Sequence, residues 1–144
     1  MFGPALGLVV IAALEAAESH AFVAALAGLA ILAVVVGMLL GLYMGPSQDL
    51  TLVPVHTHLN LVGWASMMLF GLFYRSDTVA AGTTLARWHF WIAFVGLILF
   101  AVGLAAVQYG NTALEPVLIV GAILTLISML IFAWTVWQAA MRNP

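Results

Sequence analysis

The stretch Pro54–Trp64, PVHTHLNLVGW, sets two histidines and an asparagine at the head of a long apolar run. Ionisable side chains are costly inside a bilayer and are seldom found there without a partner. Two residues apart on an α-helix is roughly 200° of rotation, so the His56 and His58 rings point to opposite sides and cannot chelate one ion together. Chelating pairs on a helix use i, i+3 or i, i+4 spacing instead. The His-x-His spacing suits one helix that serves two neighbouring sites. Asn60, Gly63, Met67 and Gly71 follow on the His56 face, and Gly63 leaves room there for something flat. Trp64 lies deep in the same segment, away from either end. A plainer reading has both histidines hydrogen-bonded at the interface, where water reaches them.

The elements that carry these residues are membrane spans. The chain has 144 residues, of which 66% are hydrophobic and only 6% charged; a soluble domain has about 25% charged residues. So few polar groups could not cover a folded surface in water, and the partner this implies is the lipid bilayer. There is no cysteine, which excludes disulfides, iron–sulfur clusters and thiolate metal sites. Three arginines, no lysine and a net charge of -2 leave no nucleic-acid footprint.

A helix needs roughly 20 apolar residues to cross the hydrocarbon core. Four stretches qualify, about 21–44, 54–74, 87–109 and 115–138, separated by GPSQDLTLVP, RSDTVAAGTTLAR and GNTALEP. They are too long and too apolar for strands. The expected fold is all-α, an integral membrane four-helix bundle in one domain over residues 21–144. Residues 1–20 are expected to form a separate interfacial or disordered segment, or to precede the true start, since FGPALGLVVIAAL is too short to span and lacks a basic flank. Glu15, Glu18 and His20 then sit in water.

Gly37, Gly41 and Gly45 give the first span a nearly smooth face that lets another helix approach closely. Arg75, Arg87 and Arg142 share one side, which the positive-inside rule makes the cytoplasm, together with both termini. Asp49 and Glu115 lie on the other. Tyr74, Trp88, Trp91, Trp134 and Trp137 mark the inner ends, and Tyr43 and Tyr109 the outer ones. His89, between Trp88 and Trp91, reads as interfacial and lies roughly 20 Å from His56 at 1.5 Å per residue.

Imidazole is a good iron ligand, and haem iron accepts axial histidine. The segment HTHLNLVGWASMMLFGLFYR resembles the helix of haem–copper oxidase subunit I that carries a His-x-His pair followed by Gly-Trp, most closely that of the C-family (cbb-type) oxidases and the related nitric oxide reductases. RWHFWIAFVGLILF resembles the next helix, and the last span fits the one after that. In that family, twelve helices form three arcs of four about a pseudo-threefold axis, and the His-x-His helix belongs to the third arc. The resemblance implies a one-arc protein with haem b, haem iron ligation by His56 and His58, and packing beside it by Gly63 and Trp64; Asn60, on the His56 face, joins the expected haem-binding residues. The family's copper-holding histidines belong to the middle arc, and neither they nor the cross-linked tyrosine has a counterpart here, so no catalytic residue is assigned. The expectation is a haem b protein of a bacterial-type inner membrane, for electron transfer or binding of a diatomic gas. It would be a homo-oligomer, a trimer before a dimer. The alternatives are a non-haem accessory or assembly subunit of an oxidase, and a small carrier or channel. The topology is directly testable: single cysteines at Ser47 and Ser76 should be labelled from opposite sides of the membrane, and labelling of both from the periplasm would contradict four spans.

Overall fold

The computed structural model describes residues 3–142, with side chains from residue 20 onward. Every regular element among them is helical: α1 (Gly3–Ser47), α2 (Val53–His58), a π-helical stretch (Leu59–Ser66), α3 (Met67–Ser76), α4 (Thr78–Ala81), α5 (Thr84–Gln108), a 3-10 turn (Thr112–Leu114) and α6 (Glu115–Arg142). The segments His20–Ser47, Thr84–Gln108 and Thr112–Arg142 are long and apolar enough to cross a membrane. The protein is an all-α membrane helical bundle.

Residues 3–20 are helical and run into the first span without a break. The sequence between Gly7 and Gly28 has neither proline nor glycine, so nothing there interrupts the ladder of backbone hydrogen bonds. His20 is exposed; the side chains of Glu15 and Glu18 lie outside the described residues. Past Ser47 the chain turns through Gln48 at φ 56°, whose side-chain amide donates to the Gly45 carbonyl at 2.6 Å. In the same loop the Thr51 hydroxyl and backbone N–H hold the Asp49 carboxyl below the usual carboxylate range.

From Val53 to Ser76 the chain is helical throughout, yet its middle is π rather than α. Val55, Leu59, Gly63 and Met67 are buried, a spacing of four that matches the wider π turn and keeps one face on its neighbours. The Ser66 hydroxyl reaches back five residues to the Leu61 carbonyl at 3.1 Å. Periodicity in the sequence anticipates a plain α-helix here; the widened turn is visible only in the structure.

The helices pair as two hairpins. In the first, α1 faces the Val53–Ser76 helix in antiparallel order, with a small residue on at least one side of each contact: Gly41 meets His56, Gly37 meets Asn60, Ala33 meets Gly63 and Leu26 meets Gly71. The glycine face thus packs as its sequence suggests at Gly37 and Gly41, while Gly45 faces open space. In the second hairpin α5 and α6 approach still more closely. A methyl group on Gly121 would collide with the Phe100 backbone, and one on Gly103 with that of Leu118. Gly110, at φ +80°, closes α5 in the left-handed conformation that glycine adopts without strain.

Two polar contacts tie the hairpins at their ends. The Gln108 side chain donates to the Thr51 carbonyl at 3.2 Å, and at the other end Arg142 pairs with Asp77 at 2.6 Å. Asp77 also caps α4 by accepting from Ala80 N–H at 2.9 Å. Overpacking a tight contact costs on the order of 1–3 kcal/mol, and here the obstructing atoms are backbone. Gly103→Ala and Gly121→Ala should therefore each lower stability by at least that much in detergent unfolding. Gly45→Ala should be neutral or mildly stabilising.

Candidate functional site: the histidine helix

His56 and His58 lie in α2, whose first turn is started by Pro54. That position suits proline, because its missing N–H would have no partner there. The two rings leave the helix in opposite directions. His56 lies on α1 at Gly41, and His58 lies on α5, its ring centroid 4.8 Å from that of Phe100. Both histidines are half-buried.

Each ring has one nitrogen fixed by the backbone. His56 Nδ1 lies 2.6 Å from the Gly37 carbonyl oxygen, and His58 Nδ1 lies 2.7 Å from that of Pro54. A carbonyl oxygen can only accept, so both Nδ1 atoms carry the proton and donate. Neutral imidazole then carries a lone pair at Nε2, which at His56 faces the Asn60 amide. A backbone carbonyl that fixes tautomer and ring orientation is the usual support behind a metal-ligating histidine.

Asn60 packs beside His56. Its side-chain amide donates to the His56 carbonyl at 2.9 Å and stands 3.4 Å from Nε2. Ligation through His56 would thus require Asn60 to turn aside. His58 Nε2 has no hydrogen-bond partner among the described residues. The space the sequence reserves at Gly63 is taken by Ala33, whose methyl a Cβ on Gly63 would meet at 2.7 Å, and by Leu97. Trp64 is 43% exposed on the outer surface of its helix. The structure therefore brings His56, Asn60 and Gly63 together against α1, turns His58 to α5, and leaves Trp64 facing outward. No group of three potential ligands from histidine and acidic side chains occurs among the described residues.

A second polar site lies at the arginine-bearing end, in a place the sequence reading assigned to the interface. His89 and Tyr74 are both 0% exposed. The Tyr74 hydroxyl and His89 Nδ1 are 2.9 Å apart, with Phe70 edge-on to the imidazole and Phe132 stacked on it. Phe22 of α1 packs on Tyr74, so all four long helical segments meet here. His89 Nε2 has no hydrogen-bond partner among the described residues. A signal for this burial was present: Ala86, His89, Ala93 and Gly96 share one helical stripe, while Trp88 and Trp91 point outward. The flanking tryptophans mask it.

An all-α membrane bundle with two carbonyl-fixed histidines is the class that fold and site define. The chain is 26% identical over 119 residues to cytochrome c oxidase subunit 1 of Rhodobacter capsulatus, an alignment covering 62% of this chain and 22% of that relative. The chain thus spans about a fifth of that relative's length. This points to a distant relationship with oxidase subunit I and does not discriminate among the oxidase families. No family model matches the chain, and no solved structure does.

Leaving a buried group unpaired costs about 1–3 kcal/mol, whereas replacing both partners with apolar groups can be nearly neutral. Tyr74→Phe should destabilise the protein by roughly that amount. The double variant Tyr74→Phe/His89→Phe should be more stable than the single one. Additive losses in this double-mutant cycle would show that the pair is not coupled.

Proposed function

We propose that the protein is a haem b-binding membrane protein related to haem–copper oxidase subunit I, acting in electron transfer or in binding oxygen or nitric oxide. The observation that carries this reading is the matched pair of Nδ1–H bonds to the carbonyls of Gly37 and Pro54. They leave two Nε2 lone pairs on opposite sides of one helix, and neutral imidazole is a donor that haem iron accepts. The donor chemistry suits the group at His58, and at His56 once the Asn60 amide turns aside. The oxidase likeness adds a relative named for that kind of enzyme.

Bound haem would supply one-electron chemistry or a gas-binding position. His56 and His58 would hold its iron through Nε2, Gly37 and Pro54 would orient the rings, and the apolar helices would exclude water. The chain would cross the membrane four times, with Val53–Ser76 as the second span. It would lie in a bacterial-type inner membrane with both termini in the cytoplasm.

Opposed histidines give each chain two half-sites rather than one complete bis-histidine site. Three copies in a closed ring would complete them, His56 of one chain and His58 of its neighbour sharing a haem; the contacts would be heterologous. A twofold dimer would instead use the same histidine from both chains.

A second reading draws on Asn60 and His56 lying in the glycine notch of α1. There they could serve as hydrogen-bonding glue between helices, in a non-haem accessory subunit of an oxidase. Variants separate the two. Under the haem reading, His56→Ala and His58→Ala each lose haem or change its spin state, and His89→Ala keeps the spectrum. Co-expressed His56→Ala and His58→Ala chains should regain part of the haem in a ring, and none in a twofold dimer. A spectrum that responds only to His89→Ala would overturn the ligand assignment.

A further inference from the structure

At the end of α6 two tryptophans, a glutamine, a methionine and an arginine share a groove of about 460 Å³: Trp134, Trp137, Gln138, Met141 and Arg142. The first four fall at i, i+3, i+4 and i+7, so they line one helical face. Trp134, Trp137 and Met141 are 55%, 61% and 65% exposed. The side chain of Arg142 remains 40% exposed even though one of its terminal nitrogens is paired with Asp77. A guanidinium has five N–H donors, so most remain available for a second anion.

Among the described side chains, the charge around the groove is predominantly positive. The chain's three arginines, Arg75, Arg87 and Arg142, are all exposed at this end, and among the described side chains only Asp77 opposes them there. Asp49 and Glu115 are at the far end of the spans. A tryptophan ring is apolar in body and polar at its N–H, which suits it to headgroup depth in a membrane. Arginine binds a phosphate by parallel N–H donation. An aromatic wall beside a partly free guanidinium therefore matches a molecule with an anionic phosphate at one end and hydrocarbon at the other.

The geometry points to an anionic phospholipid headgroup seated in this groove, its phosphate on Arg142 and the start of its acyl chains against Trp134, Trp137 and Met141. This rests on the membrane-spanning fold and is independent of the haem reading. Asp77 competes with the phosphate for Arg142 and so tunes the affinity.

The test uses the full chain in vesicles of equal parts phosphatidylglycerol and phosphatidylcholine, with the lipids retained on the protein counted by native mass spectrometry. For a lipid held directly against one basic side chain, the electrostatic attraction is worth about a fivefold preference for an anionic headgroup. Wild type should retain phosphatidylglycerol over phosphatidylcholine by about that factor. Arg142→Gln should bring the ratio close to one, Arg142→Lys should keep part of it, and Asp77→Asn should raise it. Arg87→Gln, outside the groove, should leave it near the wild-type value. Equal retention of the two lipids by wild type would overturn the proposal. So would an Arg87→Gln loss as large as that of Arg142→Gln, because diffuse charge rather than this groove would then explain the enrichment.

Discussion

Between helices in a bilayer there is little hydrophobic drive, because lipid tails are as apolar as leucine. Close backbone contact must supply what burial supplies in water. The protein meets this constraint with glycine in both hairpins: Gly37 and Gly41 against the Val53–Ser76 helix, and Gly96, Gly103 and Gly121 between α5 and α6. The two solutions differ in what fills the space. In the second hairpin backbone meets backbone directly. In the first the glycines accept Asn60 and His56, so the notch that brings the helices together also receives the polar side chains.

That notch explains how an imidazole can be held in an apolar span. Donation to the Gly37 carbonyl satisfies His56 Nδ1 at 2.6 Å, and a side chain at position 37 would meet Asn60. Backbone approach and histidine orientation are thus aspects of one contact. His58 donates through the same ring nitrogen within its own helix, to Pro54. Pro54 has two roles there, starting the helix and accepting from the ring four residues on. The Tyr74–His89 pair performs a different task, joining the two hairpins at the end away from the histidine helix.

Much of this was legible in the sequence. Apolar length gave the helices, and the turn chemistry of Gly110 and Asp77 marked their ends. Helical rotation alone placed His56 and His58 on opposite sides. The π stretch was not legible, because a spacing of four at Val55, Leu59, Gly63 and Met67 also fits an α-helix over so short a run. Nor was the fate of Gly63, since a glycine that makes room does not say for what; here Ala33 and Leu97 fill it. His89 and Tyr74 were hidden by their neighbours. Tryptophans and arginines on either side mark an interface, while the side chains between them turn inward on a stripe of small residues.

The central claim is that two Nε2 lone pairs, presented by backbone-fixed imidazoles, hold haem iron. The visible absorption spectrum of the purified, folded protein tests it most directly. The account predicts a Soret band, with sharp α and β bands on reduction that mark low-spin haem b. A colourless protein that is correctly folded and was expressed with haem available would contradict it.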